Sequence, residues 1–409
     1  MKDRRGNALA IAGAALPLIV GSAGLATDTI QWVTWKRQLQ RAADSAAFAG
    51  AYAKLQDASV PPAVDTDLVN NQRAPATLLS GYPQIAYPTS PNYTNAVQVS
   101  LAIQKRLGFS SLFLSNPPVI RVSAIAALVD EDEYCVWALK RGASPALRIG
   151  GNSQSTLGCP VISNSSDPVT SVQTMGSSYR FESPKVSGAG GMPSSIIGAT
   201  EVDPWHAPQL DPFAGKYSTD IPAGMNCRNF NQNISAVDGT GLNRTYTMSP
   251  GCYTGFHISG NDTYNLAPGV YYLNNTDFNI SGGATITGTD VTIILTGTTP
   301  GSVSTNGNAT IQLTAPTTGP YAKMLMIQAG NATDSNDNTI NGSATSSYDG
   351  TLYFAKGEVR LNGSAGTMTK CTMVVGYEVE FNGNSNLQNN TTGCRANNKV
   401  PAKEVRLVG

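Results

Sequence analysis

The chain has 409 residues, 27 basic and 27 acidic side chains, two histidines and only 13% charged residues, about half the ~25% usual in globular domains. Balanced charge excludes a basic field for nucleic acid, and two histidines leave little material for histidine-based metal or triad chemistry. With 41 glycines, abundant Asn, Ser and Thr, and 41% hydrophobic residues, the composition suits strands closed by polar turns and excludes a wholly disordered chain or a polytopic membrane protein.

Residues 8–26 (ALAIAGAALPLIVGSAGLA) form a run of 19 without a charge. At ~1.5 Å per residue such a helix spans ~28 Å, close to the hydrocarbon core of a bilayer. Lys2, Arg4 and Arg5 precede it against a single Asp3, so the positive-inside rule places the N-terminus in the cytoplasm and exports the remainder. A cleaved signal peptide is the alternative, with Gly24-Leu25-Ala26 as its small-residue site. The anchor reading is preferred because the helical pattern continues through residues 28–56. There Ile30, Val33, Leu39, Ala42, Ala43, Ala46, Ala49 and Ala53 recur at helical spacing, opposite Lys36, Arg37, Gln40, Arg41 and Asp44. Trp32 and Trp35 fall just beyond the span, where indoles favour the membrane interface, although a core role suits them equally.

The string RRGNALAIAGAALPLIVGSAGLATDTIQWVTWKRQLQRAADSAAFAGA resembles the N-terminal segment of the TadG-like family, associated with Flp (tight adherence) pilus assembly. The resemblance is carried by Arg4-Arg5-Gly6-Asn7, Pro17 inside the span, Asp28, and the LQRAADSAA run at 39–47. Type IV prepilins and TadE-like pseudopilins have Glu five residues after the Gly as a peptidase signal, whereas this chain has Ile11 there. The resemblance implies an envelope protein that works with pilus-assembly (Tad secretion) components or pilin-like subunits at the inner membrane.

Residues 58–95, with Pro61, Pro62, Pro75, Pro83, Pro88 and Pro91, read as loop with little regular structure. Val97, Val99, Leu101 and Ile103 alternate with polar residues as a half-buried strand; 109–114 is an apolar turn and 119–129 a second strand. From about 135 a motif recurs: an apolar residue or Thr, a small polar residue, Gly, then small or polar residues. Its copies begin at Ile258, Ile280, Thr305, Ile340, Leu361 and Phe381, with glycine intervals of 22, 25, 35, 21 and 20. Such a period predicts a parallel β-helix (solenoid) with coils of about 20–25 residues. An irregular β-sandwich with Gly-rich turns is the alternative. Residues 157–164 (LGCPVISN) read as an earlier coil, and the Pro-rich stretch 203–226 as an excursion over the solenoid's side. The C-terminal regions of many TadG-like proteins are similar in both respects. The expected organisation is a mainly β chain: membrane anchor and long α-helix at 1–57, a small α+β module at 58–130, and the β-helix at 131–409.

Parallel β-helices often serve polysaccharide lyases and hydrolases, and glycoside hydrolysis needs two carboxylates ~5–9.5 Å apart. Asp262, Asp277, Asp290, Asp349, Glu358, Glu378 and Glu380 do not recur at one repeat position. Glu378 and Glu380, on one face of a strand, make the best pair, with a solvated edge as the plainer reading. His206 and His257 read as surface or turn histidines, and Asp334 and Asp337 lack an EF-hand ligand series. No P-loop, GxSxG, HExxH or CxxC is present. No catalytic, cofactor-binding or metal residues are therefore expected, and the chain reads as a non-enzyme.

The cysteines are spaced by one coil: 24 between Cys135 and Cys159, 25 between Cys227 and Cys252, 23 between Cys371 and Cys394. Residues one coil apart stack at ~4.8 Å, inside the ~4.4–6.8 Å Cα range of a disulfide. The spacing predicts those three bonds, which suit an oxidising periplasm or cell surface. The expected function is a structural or adhesive component of the pilus machinery, anchored in the inner membrane, with surface polysaccharide as a further candidate partner. A secreted β-helix carbohydrate-active enzyme, or a sugar-binding adhesin without a pilus role, are the alternatives.

Overall fold

A computed structural model describes residues 5–71, 77–91, 93–230, 236–238, 243–306, 308–333, 337–342, 345–363, 368–383, 386–390 and 399–409. Cys394, Asp334 and several repeat positions (Gly307, Ser343, Ala344, Ser364, Ala365, Asn384 and Ser385) lie outside them. The chain is mainly β with a long N-terminal helix, and it divides into two units: Met1–Glu131 with Lys403–Gly409, and Asp132–Ala402.

In the first unit, α1 (Arg5–Leu55) runs unbroken for 51 residues through Pro17. Its first half is bare: Leu16, Leu18, Ile19 and Leu25 are all exposed, Leu18 by 76%. Hydroxyls there are satisfied inside the helix, Ser22 donating to the Ile19 carbonyl at 2.9 Å and Thr27 to that of Ala23 at 2.7 Å, as an apolar environment demands. The second half is buried. Leu39, Ala42, Ala43, Ala46, Ala47 and Ala51 face inward, where alanine favours helix and admits close neighbours. At Gly50 a Cβ would come within 2.8 Å of Val97 and 3.1 Å of Val60, so glycine lets the helix press on strand and neighbouring helix together.

Residues 60–71 are not loop, as the prolines suggested, but a second helix, α2 (Val60–Asn71). Pro61 and Pro62 fall in its first turn, where the missing N–H groups have no intrahelical acceptor to lose. Val60 and Val64 then bury against α1. The unit is completed by an antiparallel sheet of β1 (Gln84–Ala86), β2 (Thr94–Gln104), β3 (Val119–Tyr134) and the C-terminal strand Val400–Leu407, in that order.

The second unit is built from short strands paired almost wholly in parallel, each to one about a motif length away. The six motif starts occupy a single register column: Ile258 pairs with Ile280, then Thr305, Ile340, Leu361 and Phe381 follow in turn. The column continues to Ile149 and Thr174, where earlier copies of the motif lie, and Val161–Ser163 of the stretch 157–164 stacks in parallel beside Val136–Ala138. Leu157 instead pairs with Asn389 in another sheet. Alternate residues face a common core that includes Phe181, Tyr271, Ile293, Leu295, Phe354 and Phe381, all buried.

The order of pairing is not the order of the sequence. One column reads Cys227, Cys252, Tyr272, Ile294, Ile327, Tyr353, Val375, Trp137, Ile162, Ser187, Asp203. The strand Thr372–Asn382 therefore docks beside Val136–Ala138, where the unit begins. Between Ala199–Pro204 and Cys227–Asn229 the chain travels to the far end of this column. On the way Asn164 and Gln209 exchange two hydrogen bonds of 2.8 Å, Tyr353 donates to Asp211 at 2.6 Å, Tyr217 stacks on Tyr321, and Thr296 donates to the Thr219 carbonyl at 2.6 Å. This strap covers an apolar outer column, Tyr272, Ile294 and Ile327, that would otherwise face water.

Candidate functional site

Outward positions of the strands around the closing seam carry a ladder of charge. Asp337, Glu358 and Glu378 pair in register, and beside them Arg360, Glu380 and Arg148 do the same. The alternation that sends Val359, Leu361, Val379 and Phe381 into the core sends these charged neighbours out. Arg360 grips Glu358 through Nη2 at 2.9 Å and Nε at 3.1 Å, and reaches Asp337 at 3.0 Å and Glu380 at 3.6 Å. Arg148 lies 2.6 Å from Glu378 and 3.4 Å from Glu358, and Lys140 lies 2.5 Å from Glu378. Glu378 and Glu380 are thus not a solvated edge: their side chains are only 13% and 11% exposed, each held by a cation from another strand.

Among the described residues four carboxylates face three cations here, so one negative charge is in excess. Burial raises the Glu358 carboxyl above its ordinary value, against the pull of Arg360, and the adjacent Glu380 adds to the rise. A raised folded-state value means that Glu358 contributes most below its unfolded pKa of 4.5 and that this contribution fades as pH climbs through the folded value. Glu358→Gln is expected to remove that alkaline-side decline and to shift stability at neutral pH by less than about 1 kcal/mol. Arg148→Met should cost about 1–3 kcal/mol, because it strands partly buried carboxylates. Urea unfolding across pH separates the two. Chemically, the raised Glu358 carboxyl would suit a general acid, but its oxygens are already engaged by guanidinium groups.

A second surface is neutral. Thr247, Asn265, Thr287, Gln312 and Ser347 stack in one register column, with Thr263, Thr285 and Thr310 beside it. Asn265, Thr287, Gln312 and Ser347, with Pro268, Thr289 and Thr314, line an open groove of ≈ 490 Å³. Gly288 pairs with Leu266 and Leu313, and a Cβ there would crowd both, at 3.0 and 3.2 Å. The amide and hydroxyl lining offers donors and acceptors but no titratable group.

The histidines divide. His257 is exposed in the strand His257–Ile258, as a turn or surface histidine should be. His206 departs from that reading: its side chain is 7% exposed and its Nδ1 lies 3.2 Å from Asp203. Spacing alone could have hinted at this, because Asp203 stands three residues before it. Disulfides join Cys135 to Cys159 and Cys227 to Cys252, with Cα separations of 5.8 and 4.3 Å. The remaining expected pair, Cys371–Cys394, stays an expectation because Cys394 lies outside the described residues.

The N-terminal helix is long and apolar enough to cross a membrane. Searches of curated proteins and of solved structures returned no match. Residues 6–53, which make up most of α1, match the Tad family model, described as Flp pilus-assembly TadE/G-like, and this match with the apolar helix fits a single-pass protein of the cell envelope.

Proposed function

We propose that this chain is a non-catalytic, structural or adhesive component of Flp pilus assembly. A retained inner-membrane anchor carries a parallel β-helix that stands in the periplasm or at the cell surface. The observation that carries the reading is the family match over residues 6–53, on a helix whose first half is bare and apolar. The register columns of the second unit support the solenoid: eleven stacked positions at ~4.8 Å make a rod of roughly 50 Å, a useful reach outside a membrane. Pilin-like subunits and other Tad components are its partners at α1. The neutral groove favours a second role in contacting surface polysaccharide, whereas the ion-paired state of Glu358, Glu378 and Glu380 speaks against the hydrolase reading.

Deleting the protein should impair pilus assembly or surface attachment, while the purified full chain in detergent should cleave neither acidic nor neutral polysaccharides. Polysaccharide turnover that disappears in Glu378→Gln or Glu380→Gln would overturn the non-catalytic reading. Unchanged piliation and attachment in the deletion strain would overturn the pilus role.

A further inference from the structure

The apolar turn at 109–114 has no core to serve. Leu112 and Phe113 are each 74% exposed and Leu114 is 52% exposed. Three consecutive bare apolar residues are unusual on a surface bathed only by water. Their position along α1 is fixed by two independent contacts. The Asp28 carboxylate accepts the backbone N–H groups of Phe109 at 3.0 Å and Ser110 at 2.5 Å. A Cβ added at Gly24 would lie 2.3 Å from Phe109 Cδ2, so the ring lies directly on the helix there. Gly24 and Asp28 are about one helical turn apart. The turn is thus pinned level with the last residues of the uncharged stretch 8–26.

One to three helical turns further along α1 stands a belt of aromatic and basic groups. Lys36 Nζ lies 5.3 Å from the Trp32 ring centroid and Lys105 Nζ 4.5 Å from that of Trp35. Arg37 and Arg106 are exposed close by in sequence. Indoles and lysines of this kind favour the headgroup zone, and the cations favour anionic lipid.

We propose that residues 109–114 form a second membrane contact, with Leu112, Phe113 and Leu114 inserted at the headgroup–acyl boundary beside α1. The bilayer is the occupant because the patch continues the apolar surface of the helix at the same height. Two attachment points on one unit would fix the unit's tilt, which a lone helix cannot do. Asp28 is a positioning residue in this scheme: it holds the turn at membrane level through the N–H groups of Phe109 and Ser110. The inference rests on the anchor reading of α1.

The test uses the full chain in phosphatidylcholine–phosphatidylglycerol vesicles, with a photoreactive benzophenone amino acid placed singly at position 18, 113 or 169. Val169 is an exposed apolar residue of the other unit and serves as control, at 68% exposure. Position 113 is expected to give ~10-fold more lipid adduct than position 169, and position 18 to give abundant adduct. Asp28→Asn should lower the adduct at 113 while leaving that at 18 unchanged. Lipid adduct at 18 with none at 113 would overturn this inference and leave the anchor standing. No adduct at either position would overturn both. A cross-link from 113 to a second protein copy in place of lipid would make the patch a protein interface and also overturn the proposal.

Discussion

Phe381→Ala should lower stability by about 3–5 kcal/mol, the range for emptying a large aromatic site in a packed core. Its side chain is fully buried, edge-on to Phe181 with ring centroids 5.0 Å apart, and stands in register between Leu361 and Ile149. The location matters as much as the cost. Phe381 belongs to the strand that closes the seam, while Phe181 and Ile149 belong to the segment where the second unit begins. Losing the ring should therefore loosen 132–204 from the remaining strands before the rest opens. Hydrogen exchange after the substitution should show protection falling first across Val136–Ala138, Leu147–Gly150 and Val161–Ser163. Leu295→Ala, equally buried but far along the stack, serves as the comparison, with a cost of about 2–5 kcal/mol and no preferential opening of 132–204. Equal exchange patterns in the two variants would show that the seam is not a separate point of weakness.

The seam also explains which parts of this chain could be read from sequence. The motif starting at Ile258, Ile280, Thr305, Ile340, Leu361 and Phe381 is legible because a glycine stands two residues after one inward residue in every copy. The interval of 35 before Gly342 did not break the register, since extra residues in a turn leave the strand pairing intact. Ile149-Gly150-Gly151-Asn152 carries the same pattern but stands far from the other copies in sequence, although Phe381 is its register partner. No local periodicity can reveal that a first copy docks against a last one. The same blindness applied to Glu378 and Glu380. Their spacing places them on one face, but their cations, Lys140, Arg148 and Arg360, come from other segments of the chain, and two of the three from across the seam. The α2 helix is hidden for a different reason: Pro61 and Pro62 signal a break in a helical pattern, although the first turn of a helix tolerates them.

Replacing Cys227 and Cys252 together by serine should lower stability by about 3–4 kcal/mol, the chain-entropy value for a closed loop of 25 residues. The two cysteines are register partners on adjacent parallel strands, so the bond ties the end of the strap to the stack. Without it, Cys227–Asn229 is a three-residue strand at the edge of a ladder, held by its backbone pairing and by Arg228, which donates to the Pro250 carbonyl at 3.3 Å and to the Tyr253 hydroxyl at 3.2 Å. The strap would keep its first half tied through Asn164, Gln209 and the Tyr353–Asp211 hydrogen bond, while its second half would rest on the Tyr217–Tyr321 stack and the hydrogen bonds to the Ser218 and Thr219 carbonyls. Lifting its second half would uncover Tyr217, Ile221 and the column of Tyr272, Ile294 and Ile327 beneath. The variant should accordingly show faster hydrogen exchange over 214–229 and stronger binding of a hydrophobic dye. Removal of the Cys135–Cys159 bond should leave both unchanged, because that bond lies at the opposite side of the seam from the strap's end. An unaltered exchange profile over 214–229 in the Cys227/Cys252 variant would mean that the tyrosine and Thr296 contacts hold the strap on their own, and the stabilising role assigned to the bond would fall.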